Sequence, residues 1–452
     1  MEHSCGQLDD LPDEILLFIF KELNNIEILY SLMDINKRLN KILHDSIFTS
    51  HLSLLRHCPD HSIYPLTDSM LDRFCSKILP ETHYKIKWIN LESSSMKRIL
   101  LATNYPNLYG LSLYNLDKET AKSLVTDENL LNHTLKNQIS SLIVNISKNV
   151  GRSSIDNVIK CAFTHILTMF TNIKYLNFGE SLRSDQRLSF YLSPPSVISS
   201  TLLELHVSLE YFSDCLYLLD GRFNQLHTLY VYVSKILSSH SSQSERIKII
   251  KQEKLPTLRC FSLNCDTYTN VYDELIVPFL HRMLNLEKLK QICSESKHDN
   301  QDLSIIKYPH LNDLILYEVH DDYIEQFLVD AKMCLPNHVN LSIEYEPLRR
   351  VTHNFTRNAT RSNCAKLNSL YLNDKRRARK LVKTSLINEN QLAIEVERKL
   401  KNILKARRQT RKRKLKRQQH EEKQQKTTTA SGIDRTGSDD DDDDEPLDLT
   451  IK

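Results

Sequence analysis

The chain has 452 residues, of which 40% are apolar, so it is long enough for two or three domains with a buried core. Only seven glycines occur and none lies in a cluster, whereas loops that cradle phosphates need several glycines for close backbone approach. This composition argues against the common nucleotide-using enzymes. The ten cysteines are scattered without a Cys-x-x-Cys pair, which indicates reduced and mostly buried thiols.

The net charge of +3 conceals three unlike regions. Residues 1–374 carry −5, residues 375–426 carry +15 and residues 427–452 carry −7. We therefore expect a charged tail outside the apolar body. Met1–Asp10 contains acidic residues and no apolar stretch, and no apolar run approaches the ~20 residues needed to cross a bilayer, so we expect neither a secretory leader nor a membrane partner.

Three helices are predicted near the N-terminus. The first begins at Leu11-Pro12-Asp13-Glu14, because Pro12 suits the first helical position and the acidic residues favour the positive end of the helix dipole. It is apolar nearly all round, so we expect it to bury one face in its own bundle and another against a partner. The apolar spacing that defines the three helices consists of Leu16, Ile19, Phe20 and Leu23, then Ile28, Leu32, Ile35 and Leu39, then Leu43 and Ile47.

The first of these helices resembles the opening of an F-box position by position, through Leu11-Pro12-x-Glu14-Ile15-Leu16-x-x-Ile19-Phe20-x-x-Leu23. Ile35-Asn36-Lys37-Arg38-Leu39 is similar to a later block of that family, although the tryptophan that often follows it is missing. The resemblance implies a three-helix F-box over residues 8–48 that binds the Skp-type adaptor of a cullin–RING ubiquitin ligase. The adaptor-binding residues it implies are Leu11, Pro12, Glu14, Ile15, Leu16, Ile19, Phe20 and Leu23. The alternative is an ordinary helical hairpin within a larger core.

After a predicted helical linker at residues 49–83, residues 84–374 return repeatedly to one pattern: apolar, two residues, apolar, one residue, apolar. Most copies lie 22 to 34 residues apart. Each copy predicts a short strand that buries alternate residues, followed by a returning helix, and only a stack of copies can cover the buried face. The copies begin at Ile86, Leu108, Ile139, Ile173, Leu202, Leu226, Leu258, Leu286, Leu311 and Leu367, with Gln291 in the third slot of the copy at Leu286 and a partial copy at Val339/Leu341/Ile343.

This repeat resembles irregular leucine-rich repeats of the kind found behind F-boxes. The resemblance implies an α/β solenoid of parallel strands and helices, whose surface selects a protein substrate. The copies lack the asparagine that normally follows the strand, which leaves the inner asparagine ladder of such repeats without its residues. An unrelated leucine-rich α/β domain is the alternative.

Residues that suggest chemistry are few. His57-Cys58-Pro59-Asp60-His61 places two histidines and a cysteine together, but Pro59 disfavours a helix that would align them, so we expect an exposed loop and no metal site. No zinc-protease, nucleophile-elbow or Ser-x-x-Lys motif occurs. The single tryptophan, Trp88, is expected in the core. The sequence therefore predicts no catalytic residue and no cofactor.

The charged tail is expected to be a basic helical segment at residues 375–426 and a disordered acidic segment at residues 427–452. One basic run is typical of a nuclear import signal: Arg411, Lys412, Arg413, Lys414, Lys416 and Arg417. Nucleic-acid binding is the less favoured function, because no aromatic residues interleave with these charges. A solvated tail without a partner is the third alternative.

The acidic segment ends in Pro446-Leu447-Asp448-Leu449-Thr450, which resembles the short peptide that docks on C-terminal-binding-protein corepressors. The sequence as a whole predicts a non-catalytic substrate receptor of a Skp–cullin–F-box ligase, present in nucleus and cytoplasm. Its partners are the adaptor and cullin, an unknown protein substrate, an import receptor and the corepressor. The alternative is a nuclear scaffold or corepressor-associated protein that acts through its basic and acidic tail.

Overall fold

The computed structural model describes residues 11–59, 62–117, 120, 133–146, 155–179, 187–190, 197–236, 254–266, 275–293, 306–374 and 377–382. The chain divides into two compact units, residues 1–285 and residues 286–452. The first unit opens with short helices and continues into a mostly parallel sheet. The second unit contains its own set of parallel strands.

The helices and strands alternate along most of the described chain. The helices are α1 Asp13–Lys21, α2 Asn25–Leu32, α3 Lys37–Leu43, α4 Ser46–Thr49, α5 Asp68–Arg73, α6 Leu79–Thr82, α7 Met96–Leu100, α8 His133–Gln138, α9 Ile155–Met169, α10 Phe212–Leu218, α11 Val277–Leu280, α12 Asp321–Leu328, α13 Tyr345–Val351 and α14 Arg361–Ala365. The strands are β1 His51–His57, β2 Ile63–Pro65, β3 Trp88–Glu92, β4 Gly110–Leu116, β5 Ser141–Ile146, β6 Tyr175–Phe178, β7 Glu204–Tyr211, β8 Thr228–Lys235, β9 Cys260–Cys265, β10 Lys288–Cys293, β11 Ile306–Lys307, β12 Asp313–Tyr317, β13 Met333–Cys334, β14 Val339–Glu344, β15 Leu367–Asp374 and β16 Arg377–Val382.

The N-terminal helices number four in the described residues, and the prediction of three is wrong. The predicted second helix divides into α2 and α3. Asp34 adopts a left-handed backbone with φ 70°, which ends the helical path. The side chain of Asn36 then accepts a hydrogen bond from the backbone N–H of Leu39 at 2.7 Å and begins α3. A capping asparagine therefore overrides the continuous apolar spacing that predicted one long helix.

The sheet of the first unit has the strand order β9-β8-β7-β6-β5-β4-β3-β1-β2 in the described residues. Every neighbouring pair is parallel except β1 and β2, which are antiparallel. The predicted parallel strands are thus confirmed at each copy of the pattern in this unit. The prediction of an α/β chain with parallel strands and helices holds at this level.

The second residue of each copy stands beside the second residue of the next, so the apolar pattern forms columns across the sheet. One column consists of Leu52, Ile89, Leu111, Leu142, Leu176, Leu205, Leu229 and Phe261. All of these side chains are buried. They face the helices: the ring of Phe163 in α9 lies 5.3 Å from that of Phe178 in β6, and Phe279 in α11 lies 5.5 Å from Phe261 in β9.

Strand β1 corrects the predicted helical linker at residues 49–83, whose first part is extended. Leu52 and Leu54 pair with Ile89 and Leu91 of β3 and are fully buried. The pattern escaped notice because Thr49 stands in its first, normally apolar slot. Thr49 is buried nonetheless, since its hydroxyl donates a 3.0 Å hydrogen bond to the backbone carbonyl of Asp45. With β2, which pairs with β1, the sheet therefore begins two strands earlier than the sequence predicted.

Polar side chains just before the pattern join successive copies in place of the missing asparagine ladder. Asn107 donates to the backbone carbonyl of Tyr84 at 2.6 Å, and Asn172 donates to that of Asn137 at 2.6 Å. Each carbonyl belongs to the turn of the preceding copy, one strand away. The amides satisfy backbone acceptors that a helix end leaves open, so they stabilise the stacking of copies. Equivalent bonds join Asn285 to Pro256 at 2.8 Å, Gln138 to Tyr105 at 2.7 Å and Thr201 to Thr171 at 3.1 Å.

Trp88 does not lie in the core as the sequence predicted. It occupies the outward face of β3, partly exposed, and its ring covers Gly110 of β4: a Cβ at Gly110 would fall 1.9 Å from the Trp88 ring. The indole N–H donates to Asn90 at 2.8 Å and to Ser112 at 3.1 Å. The absence of a side chain at Gly110 therefore creates the space that this ring fills.

The second unit repeats the same register. Strands β10, β12, β14 and β15 are parallel in that order, and Leu289, Leu314, Leu341 and Leu370 form a column across them. Gln291 occupies the third slot of β10, is buried, and pairs with Leu316. The imperfect copy is therefore still a strand. The short strands β11 and β13 pair separately.

The start of the predicted basic helical segment is a strand in the structure. β16 pairs antiparallel with β15, with Arg379 opposite Leu372. The open edge of β15 offers backbone hydrogen bonds that the helical prediction did not consider, and basic side chains are typical of edge strands. The rest of the basic segment and the predicted disordered acidic tail at residues 427–452 lie outside the described residues.

Candidate functional site

Helix α1 presents two different apolar faces. Leu16 and Phe20 point into the helical cluster and are buried, and the Phe20 ring meets that of Phe48 edge-on with centroids 6.4 Å apart. These two residues belong to the predicted adaptor-binding set. Because they are core residues, the structure separates them from the side chains that a partner could reach.

Another side of α1, continued by Leu23 two residues after the helix ends, is apolar and open to solvent. Ile15, Phe18, Ile19 and Leu23 are exposed to between 36 and 67% of their full area. We call these four residues the α1 apolar face. Large apolar side chains grouped on one exposed helix face are typical of an interaction surface. Phe18, the most exposed of them, is not in the predicted set, because it occupies a position that the motif leaves unspecified.

The remaining predicted contact residues lie at the beginning of the same helix. Pro12 and Glu14 are exposed and Leu11 is half-buried. Pro12 is the N-cap of α1, with φ −57° and ψ 153°, and Leu11 precedes it, so both residues lie just before the first helical turn. Of the predicted set, Pro12, Glu14, Ile15, Ile19 and Leu23 are therefore exposed, within α1 or next to its ends.

Two further exposed apolar residues lie in the helical cluster, and one of them is next to the end of the α1 apolar face. Ile47 in α4 accepts a 3.4 Å hydrogen bond through its backbone carbonyl from Asn25, two residues beyond Leu23. Ile35 precedes α3 and is also exposed. Ile47 therefore extends the apolar character of the surface beyond a single helix.

Arginine 38 fixes the beginning of α1. Its guanidinium forms a 2.7 Å ion pair with Asp13 and donates a hydrogen bond to the backbone carbonyl of Leu11. The pair is partly exposed, so it contributes only ~0–1 kcal/mol to stability. Its effect is geometric, because it holds the motif at the start of α1 against α3.

The helical cluster is attached to the repeat by polar contacts with the helices that follow β2. Lys77 forms a 2.6 Å ion pair with Asp34, and this hydrogen bond holds the pKa of the Asp34 carboxyl below its usual value. Arg73 donates to the backbone carbonyl of Met33 at 2.8 Å and lies over the Tyr30 ring. The α1 apolar face is thus carried on a cluster anchored to the first unit.

A second surface with functional character lies on the outward side of the first unit's sheet. Tyr175 of β6, His206 of β7 and Tyr230 of β8 form a row of rings. The centroids of Tyr175 and His206 are 5.3 Å apart with the rings tilted by 54°, and those of His206 and Tyr230 are 4.3 Å apart with the rings stacked. These three rings are only partly exposed. The buried pattern residues alone do not indicate these rings; the signal in the sequence is an aromatic or imidazole ring between the buried pattern residues of three successive copies.

Within the described ranges, no group of three or more histidine, cysteine, aspartate or glutamate side chains is placed to hold a metal ion. His57 closes β1 and Cys58 follows it, half-buried. No helix among the described residues has the length and apolar character to cross a membrane. The import residues Arg411–Arg417 and the corepressor-like residues Pro446–Thr450 lie beyond the described part of the chain.

No family model matches this chain, and no curated protein matches it in sequence. The likenesses to F-boxes and to leucine-rich repeats therefore depend on the residues quoted above. The geometry adds an exposed apolar face on the motif-bearing helix and a registered, mostly parallel sheet behind it.

Proposed function

We propose that this chain is the substrate-recognition subunit of a Skp–cullin–F-box ubiquitin ligase. The α1 apolar face docks on the Skp-type adaptor, the repeat binds a protein target, and a partner enzyme transfers ubiquitin. The observation that carries the proposal is the exposure of Ile15, Phe18, Ile19 and Leu23 on the helix with the Leu-Pro-x-Glu-Ile-Leu motif. In this proposal, residues 8–48 are the F-box and residues 84–374 are the leucine-rich repeats.

Burial of this face explains why so much apolar surface is left outside the helical core. Each large apolar side chain moved from water into an interface contributes on the order of 1.5–3 kcal/mol. Four such residues with a polar rim are enough for a stable contact, because a few central residues carry most of the energy of an interface. Leu16 and Phe20 support the face from inside and do not touch the adaptor.

The test is capture of a purified Skp-type adaptor by the full chain. Ile15→Asp combined with Ile19→Asp should abolish capture, because two charges would enter an apolar interface without partners. Ile198→Asp is the matched control, since Ile198 is exposed to 75% outside the helical cluster. Capture that survives the double substitution contradicts the proposal, and so does capture lost equally in the control.

The alternative proposal is a nuclear scaffold or corepressor-associated protein that acts through its tail. It is supported by the juxtaposed charges of +15 and −7 and by Pro446-Leu447-Asp448-Leu449-Thr450. Deletion of residues 1–48 distinguishes the two: a receptor loses its adaptor and stops degrading its target, whereas a scaffold keeps its main partner. Replacement of Arg411, Lys412, Arg413 and Lys414 by alanine should leave a fluorescent fusion cytoplasmic if this cluster drives import.

A further inference from the structure

The outward face of β6–β9 carries an aromatic stack at its centre. Besides the ring contacts of Tyr175, His206 and Tyr230, the Tyr230 hydroxyl lies 3.7 Å from the Cys260 thiol. Burial, helped by the contact with Cys260, raises the pKa of Tyr230 to about 12. The hydroxyl is therefore protonated at neutral pH and is available for hydrogen bonds. We call Tyr175, His206 and Tyr230 the aromatic stack.

Most charged side chains on this face are paired with one another. The Glu204 carboxylate is 2.7 Å from Nε2 of His206, and Nζ of Lys235 is 3.2 Å from the Glu210 carboxylate. Arg187 is buried, lies over the Tyr232 ring and pairs with Asp266. The middle of the face thus consists of aromatic rings and hydroxyl groups, and its net charge is close to zero. Such a composition suits recognition of a protein.

A basic edge borders the aromatic stack. The residues immediately before β6, β7, β8 and β9 are Lys174, Leu203, His227 and Arg259, of which the three basic ones are exposed. No acidic residue occupies the same position in any of these four strands. Neighbouring parallel strands are ~4.8 Å apart, so Lys174 and Arg259 stand about 14 Å from each other along the edge. That separation matches about four residues of extended peptide.

We propose, on the premise that the chain is a substrate receptor, that this face binds an extended acidic peptide of the substrate. Acidic side chains about four positions apart meet Lys174 and Arg259, and an apolar or aromatic side chain between them lies against the aromatic stack. The peptide crosses the strands, because the basic edge runs perpendicular to them. Charge complementarity selects the partner and the stack supplies the contact area.

A peptide fits this face better than a nucleic acid. A single strand of RNA needs a basic groove along its backbone and exposed ring faces on which bases stack. Here the ring faces of His206 and Tyr230 are turned toward each other, with an interplanar angle of 28°.

The test is selection of 12-residue peptides from a random displayed library on the full chain. Counter-selection uses the Lys174→Glu/Arg259→Glu variant. Because this variant keeps the basic tail, it removes from the library those peptides that bind the tail. The expected survivors carry aspartate or glutamate about four positions apart with an apolar or aromatic residue between them. A labelled survivor should bind the variant about tenfold more weakly, because two attractive pairs become repulsive.

Two further variants keep the result specific. Lys136→Glu/Arg361→Glu changes the same charge outside the face and should bind the labelled peptide as the natural chain does. Tyr230→Ala should weaken binding of the labelled peptide without changing the preference of the chain for acidic peptides. Absence of survivors, survivors without acidic pairs, or displacement of the peptide by a 12-nucleotide oligouridine would each overturn the proposal. Adaptor capture by the Lys174→Glu/Arg259→Glu variant should be intact, so failure of this inference is distinguishable from failure of the proposed function.

Discussion

The helical cluster at residues 11–49 and the sheet that follows it use apolar residues in different ways. In the sheet, every pattern residue of a strand turns inward, and Leu176, Leu205 and Leu229 are wholly buried in one column. In α1, residues of the same chemical type divide between a buried face and an exposed one. Apolar spacing therefore predicts which side chains of the sheet are buried in the core. In α1 it shows only that the helix has two apolar faces, and not which of them is buried.

The sharpest comparison lies between two phenylalanines of α1. Phe20→Ala should lower the free energy of unfolding by about 3–5 kcal/mol, because Phe20 is buried against Phe48. Phe18→Ala should change it by no more than ~0.5 kcal/mol, because Phe18 is exposed. Urea denaturation measures both, and adaptor affinity should fall about tenfold or more in Phe18→Ala. Equal destabilisation by the two substitutions would refute the division of α1 into two faces.

In the sheet, the comparison is between inward and outward neighbours. Leu205→Ala should lower the free energy of unfolding by about 2–5 kcal/mol in the same denaturation experiment, since Leu205 is fully buried in the column. His206→Ala, one residue further on and on the outward face, should cost about 1 kcal/mol or less. If His206→Ala proved the more damaging, the outward face would have to be part of the core.

A smaller effect is expected from the amides that join successive copies. Asn172→Ala removes a 2.6 Å hydrogen bond to the backbone carbonyl of Asn137 and should lower the free energy of unfolding by about 0.5–1.5 kcal/mol. Gln225→Ala is the control, because Gln225 occupies the equivalent place and its side chain has no hydrogen bond among the described residues. Hydrogen exchange of the turn before β6 should report the loss locally. No difference between the two variants would mean that these amides do not stabilise stacking.

The smallest expected effect concerns the ion pair that attaches the helical cluster. The Lys77 hydrogen bond lowers the pKa of Asp34 from its ordinary 3.8, so the pair contributes stability above that pH and loses it as pH falls through the lowered pKa. Both side chains are partly exposed, so the contribution is ~0–1 kcal/mol. Asp34→Asn should flatten the acid limb of the stability curve below about pH 4. A curve unchanged in shape would show that the pair has no energetic role.

Much of the sheet could be predicted because its period is enforced by geometry. A one-residue slip would expose an entire column, so the spacing of Leu108, Leu111 and Leu113 is sufficient to place β4. Thr49 hid the first strand because a hydroxyl satisfied by a local carbonyl substitutes for an apolar residue. The strand β16 was missed for another reason: pairing at a sheet edge depends on distant backbone.

The candidate site was predictable in part. The motif indicated α1, and Ile15, Ile19 and Leu23 of the predicted set are exposed. Leu16 and Phe20 were assigned to the adaptor because a motif does not say which of its residues face inward. The aromatic stack was not recognised, because Tyr175, His206 and Tyr230 become neighbours only when the predicted copies are aligned in register and their outward residues are compared.

The central claim is that the α1 apolar face docks on a Skp-type adaptor, and hydrogen exchange of the full chain with and without the purified adaptor tests it most directly. The account predicts that slowed exchange on binding centres on residues 11–24 and on the neighbourhood of Ile47. Strands β6–β9 should exchange at the same rate in both samples. Protection of β6–β9 with none in residues 11–24, or no protection anywhere in the described chain, would contradict the account.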